Sequence, residues 1–106
     1  MKRTSLLICL LLMSAGAAAG DAAGTLGAVW ASPTSTFVMF VVVDPSAEYH
    51  RCNESQRYSL DLRQPGGEAT YQLLLLAKRE NYTVAVEGLN TCNPFKAENI
   101  RNLSIR

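Results

Sequence analysis

The fold is predicted most strongly by residues 70–90, which read TYQLLLLAKRENYTVAVEGLN. Two apolar segments, residues 70–76 and 82–87, flank a polar corner at residues 77–81. The second segment alternates apolar with polar or small residues, which is typical of a half-buried strand. No segment of the chain has the i, i+3, i+4 spacing of an amphipathic helix over three turns. We therefore predict two β-strands joined by a corner.

Four further strands are predicted around this stretch, at residues 26–32, 36–43, 57–63 and 97–105. The second of them is rich in β-branched side chains, and the third alternates with a period of two. Pro65-Gly66-Gly67 has the composition of a turn between strands. Six short strands without a crossover helix predict an all-β fold, specifically an antiparallel β-sandwich.

The first 20 residues have the order of a secretory signal peptide. Lys2-Arg3 precedes an apolar run at residues 6–13, and small residues follow. The run is much shorter than the roughly 20 residues that cross a bilayer. We expect cleavage near Gly20, with Ala18 and Gly20 at the −3 and −1 positions. An uncleaved anchor is the alternative.

Removing a signal peptide of residues 1–20 leaves residues 21–106 as one predicted extracellular domain, with no membrane span of its own. Of the 10 basic residues 8 remain, against 9 acidic ones, and they form no stripe. Binding to nucleic acid, which depends on neutralising phosphates, is therefore not expected.

Two cysteines remain in the predicted mature chain, because Cys9 lies in the signal peptide. In an oxidising compartment Cys52 and Cys92 are expected to form a structural disulfide. Free thiols or an intermolecular bond are the alternatives.

Three Asn-x-Ser/Thr triplets predict a secreted glycoprotein, since each fits the acceptor pattern without a central proline. The acceptor residues are Asn53, Asn81 and Asn102.

Residues 70–90 resemble the second half of a fibronectin type III domain. That family has Tyr-x-Ile-x-x-Leu, a five-residue corner, then Tyr-x-Val-x-Val and an asparagine four residues later. The matching positions here are Tyr71, Leu73, Leu76, Tyr82, Val84, Val86 and Asn90. The resemblance implies a divergent, short sandwich of fibronectin type III or immunoglobulin-like type, with Tyr82 in a tyrosine corner. Tyr82 as an ordinary core aromatic is the alternative.

The same resemblance places Cys52 in the B–C loop and Cys92 in the F–G loop, at one end of the sandwich. The chain departs from the family in having Val42 at the usual tryptophan position of strand B and Lys78 at the usual proline of the corner.

A weaker resemblance is to cystatins, around Asn81-Tyr82, Val86-Glu87 and Cys92, with Gly27 and Trp30 near the mature start. It implies inhibition of cysteine proteases. The inhibitory Gln-Val-Val-Ala-Gly loop of that family is missing, and residues 37–43 would make a poor helix because they are mostly β-branched.

Catalytic residues are not predicted, and neither is a cofactor or a metal. The single histidine, His50, lies near Cys52, but a closed zinc site needs four ligands. We read His50 as a solvated loop residue and expect a non-enzymatic module that binds an unknown extracellular protein. A fragment of a receptor or adhesion ectodomain is another alternative.

An apolar outer sheet face is the predicted binding surface. If alternate residues of strand 36–43 face the core, the others face outward together with part of the neighbouring strand. The predicted face consists of Phe37, Met39, Val41 and Leu74, with Val43 beside them. Exposed apolar patches often mark interaction sites, so the face is expected to hold a partner or a second copy of the chain. The alternatives are that termini or a glycan cover it, or that the loops near Cys52 and Cys92 bind instead.

Overall fold

The computed structural model describes residues 20–106 of the chain. Apart from Gly20, the predicted signal peptide lies outside these residues. The described part contains β1 (Asp21–Ala31), β2 (Phe37–Val43), β3 (Tyr58–Asp61), α1 (Gly67–Glu80), β4 (Val84–Cys92) and β5 (Glu98–Ile105). Among residues 20–106 no helix has the length and apolar character needed to cross a membrane.

The five strands form one sheet that closes into a barrel in the order β1-β2-β3-β5-β4. β1 closes the barrel because it is long enough to pair with two neighbours. Its first part, Asp21 to Gly24, pairs with β4, and its second part, Thr25 to Ala31, pairs with β2. All neighbouring strands are antiparallel except β3 and β5, which are parallel.

The spatial order β4-β1-β2-β3 is that of a Greek key. A five-stranded Greek-key barrel is the architecture of the OB-fold. The prediction of an all-β, largely antiparallel fold is confirmed. The division into two separate sheets of a sandwich is not observed, because β1 hydrogen-bonds to both β2 and β4 and so makes all five strands one closed sheet.

The predicted strand at residues 70–76 is wrong, because these residues lie in α1. Four consecutive leucines have higher helix propensity than β-branched residues. Leu74 and Ala77, three positions apart on one helix face, are fully buried, whereas Leu75 and Leu76 are 41% and 36% exposed. The exposed leucines made the segment uniformly apolar and concealed its helical period.

The polar corner after α1 is a helix C-terminus. Asn81 ends the helix in the left-handed conformation, with φ of 56°, which asparagine tolerates well. The backbone N–H of Tyr82 donates to the carbonyl of Ala77 at 3.0 Å. Tyr82 is 44% exposed, so the predicted tyrosine corner is wrong, whereas Val84 and Val86 are buried as the alternation predicted.

The barrel interior is filled by the inward side chains of the strands and one face of α1. The predicted inward set on β2 is confirmed, since Val38, Phe40 and Val42 are at most 2% exposed. The rings of Phe40 and Tyr58 lie 5.9 Å apart. α1 packs against β1, β3 and β5 and contributes Leu74 to this core.

The start of α1 lies directly against the segment that follows β3. A Cβ on Gly67 would lie 2.7 Å from the carbonyl oxygen of Asp61 and 2.9 Å from the Cα of Leu62, whereas a Cβ on Gly66 would meet nothing. We expect Gly67→Ala to lower the free energy of unfolding by about 1–3 kcal/mol through overpacking. Gly66→Ala, the matched control, should stay within about 0.5 kcal/mol of the unsubstituted protein. Urea denaturation measures both, and equal effects would contradict this placement of α1.

Candidate binding cleft

A cleft of about 650 Å³ opens on the outside of the barrel beside the β1–β2 loop. Its side chains include three aromatic rings and two arginines, and we call it the aromatic–arginine cleft. These five residues are Trp30, Phe37, Arg57, Arg63 and Phe95. Trp30 is 42% exposed and Phe95 is 53% exposed. Concave sites that combine aromatic surface with a few polar groups are typical of ligand binding.

The floor of the cleft is set by strand register. Trp30 pairs with Met39 across β1 and β2, and Phe37 pairs with Asp61 across β2 and β3. Because Val38 points into the barrel, its neighbours on β2 point outward. Trp30 and Met39 therefore lie side by side on the outer face and both line the cleft.

The two arginines differ in their electrostatic partners. Arg63 donates to both carboxylate oxygens of Asp61, at 3.1 and 2.9 Å, and its guanidinium lies 5.8 Å from the Phe37 ring. These bonds lower the pKa of the Asp61 carboxyl. The guanidinium of Arg57 lies 5.2 Å from the Trp30 ring, and within residues 20–106 it forms no ion pair. Arg57 is thus the arginine of the cleft whose charge no carboxylate of residues 20–106 neutralises.

A buried asparagine holds the loop that carries Arg57. Asn53 is only 3% exposed. Its Oδ1 accepts a hydrogen bond from the backbone N–H of Arg57 at 3.1 Å and another from Ser55 Oγ at 3.4 Å. The carbonyl of Arg57 in turn accepts from the N–H of Glu98 at 3.1 Å. The backbone of Arg57 is therefore held by hydrogen bonds on both sides, at the position from which its guanidinium reaches the Trp30 ring.

A second buried asparagine holds the β4–β5 loop that carries Phe95. Asn93 is 6% exposed, and its Oδ1 accepts from the backbone N–H groups of Phe95 and Ala97 at 2.9 and 3.2 Å. Its Nδ2 donates to Ser59 Oγ at 3.0 Å. One side chain therefore shapes the loop and anchors it to β3.

The disulfide joins these two loops. Cys52 and Cys92 are bonded, with their Cα atoms 6.1 Å apart, so the predicted pairing is confirmed. Each cysteine directly precedes one of the two buried asparagines, Asn53 and Asn93. The bond therefore links the supports of Arg57 and Phe95, and it is compatible with an extracellular location.

The three sequons differ in accessibility. Asn81 and Asn102 are exposed. Asn53 is buried, and its Nδ2, the atom that would carry a glycan, has no accessible surface. A glycan at Asn53 is therefore incompatible with this side-chain position, because the bulky sugar must lie at the surface.

The predicted apolar face divides between surface and core. Phe37 and Met39 line the aromatic–arginine cleft, and Val41 is half-buried on the same outer side of β2. The inclusion of Leu74 is wrong, because this residue is fully buried on the inner side of α1. The error follows from reading residues 70–76 as a strand.

The histidine near the disulfide has a local structural contact. The backbone N–H of Cys52 donates to His50 Nδ1 at 3.2 Å. Because Cys52 is bonded to Cys92, it offers no free thiolate to a metal. Within the described residues no group of three or more His, Cys, Asp or Glu side chains is arranged to hold a metal ion.

Sequence reasoning missed the roles of Trp30, Arg57 and Phe95, which come from three separate segments. A lone tryptophan on a predicted strand gave no sign of facing solvent. One signal was present in the repeated Cys-Asn dipeptides at 52–53 and 92–93, since asparagine next to a loop disulfide is suited to holding a turn.

Comparisons with protein-family models, with characterised proteins and with solved structures found no significant match for this chain.

Proposed function

We propose that this chain is a secreted, non-catalytic binding module that binds an anionic oligosaccharide in the aromatic–arginine cleft. The observation that carries the proposal is the exposed Trp30 ring with Arg57 beside it, an arginine that forms no ion pair with any residue of 20–106. Secretion is supported by the signal-like residues 1–20 and by the disulfide.

The position of the cleft on the barrel supports a ligand site. In OB-folds the face formed by strands 2 and 3, with the loops between strands 1 and 2 and between strands 4 and 5, binds oligonucleotides and oligosaccharides. The aromatic–arginine cleft lies in the corresponding region. It is lined by the end of β1, the β1–β2 loop, β2, the arginines on either side of β3, and Phe95 in the β4–β5 loop.

The chemistry of the lining favours a sugar over a nucleic acid. The apolar C–H face of a pyranose ring can pack against an exposed aromatic ring. Trp30 and Phe95 offer such rings in this cleft. Hydroxyl groups of Ser32, Thr34 and Ser35 in the β1–β2 loop line the same cleft and can hydrogen-bond sugar hydroxyls. Binding single-stranded nucleic acid needs a positive groove along several nucleotides. Among the described residues that line this cleft, Arg57 is the one cation without an ion pair. The guanidinium of Arg57 instead fits one carboxylate or sulfate.

Protein–protein contact, the function predicted from the sequence, is the second candidate. Trp and Arg are enriched among the residues that dominate protein interfaces, and Trp30 and Arg57 lie together here. A stable interface buries about 800 Å² on each partner, so it would extend beyond the cleft. Such a partner, including a second copy of the chain, would be anchored at the same two residues.

Binding to a glycan array tests the main proposal. We expect the secreted protein to bind sialylated or sulfated glycans, and we expect Trp30→Ala to weaken binding at least tenfold, about 1.4 kcal/mol, through the lost ring contact. Tyr82→Ala is the matched control, because Tyr82 is a similarly exposed aromatic residue outside the lining of the cleft.

The array separates the two candidates. Arg57→Ala should remove the preference for anionic glycans over neutral ones. An absence of glycan binding, together with capture of a protein partner that Trp30→Ala abolishes, would favour the second candidate. Binding that Trp30→Ala and Tyr82→Ala leave equally intact would contradict both assignments of the cleft.

A further inference from the structure

Glu98, the first residue of β5, is the only charged residue among the buried ones that the structure describes. Its Oε2 accepts hydrogen bonds from the backbone N–H groups of Asn90 at 3.0 Å and Gly20 at 3.3 Å. Its Oε1 is buried and has no hydrogen-bond partner among residues 20–106. None of the cationic side chains in these residues forms an ion pair with Glu98. A buried carboxylate is costly unless a positive group and further hydrogen bonds accompany it.

Gly20 is the residue that meets this carboxylate from the N-terminal side. It is buried, and its carbonyl accepts from the N–H of Gly88 at 2.9 Å. A Cβ at position 20 would lie 2.7 Å from Glu98 Oε1 and 2.9 Å from both the carbonyl oxygen of Glu48 and the backbone nitrogen of His50. Only glycine fits at this position without displacement of its neighbours.

The opposite wall of this site is equally close. A Cβ on Gly88 would overlap the carboxylate of Glu98. The backbones of Gly20 and Gly88 therefore enclose the carboxyl group and bring the nitrogen of residue 20 to it. This is the enclosure that a chain terminus needs if its amino group is to reach a buried acid.

We propose that signal peptidase cleaves between Ala19 and Gly20, and that the new α-ammonium group of Gly20 forms a buried ion pair with Glu98. The inference rests on the secretion included in the proposed function. Water adds across the Ala19–Gly20 peptide bond, leaving a carboxylate on Ala19 and an amino group on Gly20. That amino group, with an ordinary pKa of about 7.7–8.0, binds a proton at neutral pH.

The sequence before the cut agrees with this position. Ala17 and Ala19 occupy the −3 and −1 positions of an A-x-A site when cleavage precedes Gly20. Cleavage after Gly20, as expected from Ala18 and Gly20, would remove one of the two N–H donors to Glu98 and the acceptor of the Gly88 N–H. Cleavage before Gly20 instead converts its single backbone N–H donor into an ammonium group, which carries a positive charge and three N–H donors.

The ion pair would also place a positive charge beside acidic side chains. Glu98 and Asp21 are among the groups that raise the pKa of the Tyr58 hydroxyl, after its burial and the neighbouring Tyr49. A positive charge at Gly20 would oppose the effect of these two carboxylates. Removal of the signal peptide is thus expected to complete the polar part of the barrel interior.

Two measurements test the proposal on the full-length chain expressed with its own signal in a secreting host. Intact-mass analysis of the secreted protein should give Gly20 as the first residue. Amine labelling at neutral pH, read by peptide mass spectrometry, should then show the Gly20 amine reacting at least tenfold more slowly in the native protein than in the same protein unfolded in urea. Lys78 and Lys96, both exposed, are internal references and should change far less.

A first residue other than Gly20, or equal labelling of its amine in the native and unfolded protein, would overturn the proposal. Glu98→Gln should raise the labelling rate of the Gly20 amine in the native protein at least tenfold. If Glu98→Gln does not fold, a chain that begins at Ala19 replaces it, and the amine of its first residue should be labelled as fast in the native protein as in the unfolded one. Glycan binding enters neither measurement. If the secreted protein begins at another residue but still binds glycans through Trp30, the ion-pair inference is wrong and the proposed function is unaffected.

Discussion

Leu74→Ala is expected to lower the free energy of unfolding by about 2–5 kcal/mol, because it removes a fully buried side chain from the core. Leu74 is the large residue that α1 places among the inward side chains of the strands. The lost transfer free energy and the remaining cavity both contribute to the cost. Such a loss would be a large fraction of the stability of a domain of this size.

Leu75→Ala is the matched control, since Leu75 is 41% exposed. Its truncation should lower the free energy of unfolding by less than about 1 kcal/mol. Urea denaturation of both variants gives the comparison. Similar losses for Leu74 and Leu75, or a larger loss for Leu75, would contradict the helical assignment of residues 67–80.

Replacing both cysteines, Cys52→Ala with Cys92→Ala, is expected to lower the free energy of unfolding by about 4 kcal/mol. The bond closes a loop across 40 residues of sequence separation, and the chain-entropy model gives a loss of this size when the unfolded chain is released. The bond also ties together the loops of Asn53 and Asn93. Glycan binding should therefore weaken even in variant molecules that remain folded.

Guanidinium denaturation of oxidised, reduced and doubly substituted protein measures this effect. The reduced protein should resemble the doubly substituted one. Alanine replacement of Cys9 is the control, because this residue lies in the predicted signal peptide and should leave the secreted product unchanged. A double variant that keeps its stability would show that the disulfide does not constrain the fold.

Much of the sheet could be predicted because its strands carry a strong local pattern. Val38, Phe40 and Val42 alternate with outward residues, and their burial followed directly from that period. Val84 and Val86 gave the same signal on β4. The disulfide followed from the count of cysteines outside the predicted signal, which left only one intramolecular pair.

The helix could not be predicted from periodicity, because Leu73 to Leu76 are apolar on every side of the chain. Only tertiary packing selects Leu74 for the core and leaves Leu75 in solvent. Closure of the barrel was equally hidden, since it depends on β1 pairing not only with β2, the next strand along the chain, but also with β4, which is distant in sequence.

The binding cleft depends on those long-range pairings as well. Trp30, Arg57 and Phe95 meet only after β1, β2 and β3 have paired and the disulfide has joined their loops. Phe37 and Met39 were predicted as part of a surface because they lie on one strand with a clear period. The aromatic and cationic partners that complete the cleft have no local pattern that distinguishes them from ordinary loop or strand residues.

Fluorescence of Trp30, the single tryptophan of the chain, reports on the cleft most directly. Titration with a sialylated oligosaccharide should change the emission of this residue in a saturable way, with a midpoint equal to the dissociation constant from calorimetry. Arg57→Ala should shift that midpoint at least tenfold to higher concentration. Calorimetric binding without any change in Trp30 emission would place the ligand elsewhere and contradict the proposed role of the aromatic–arginine cleft.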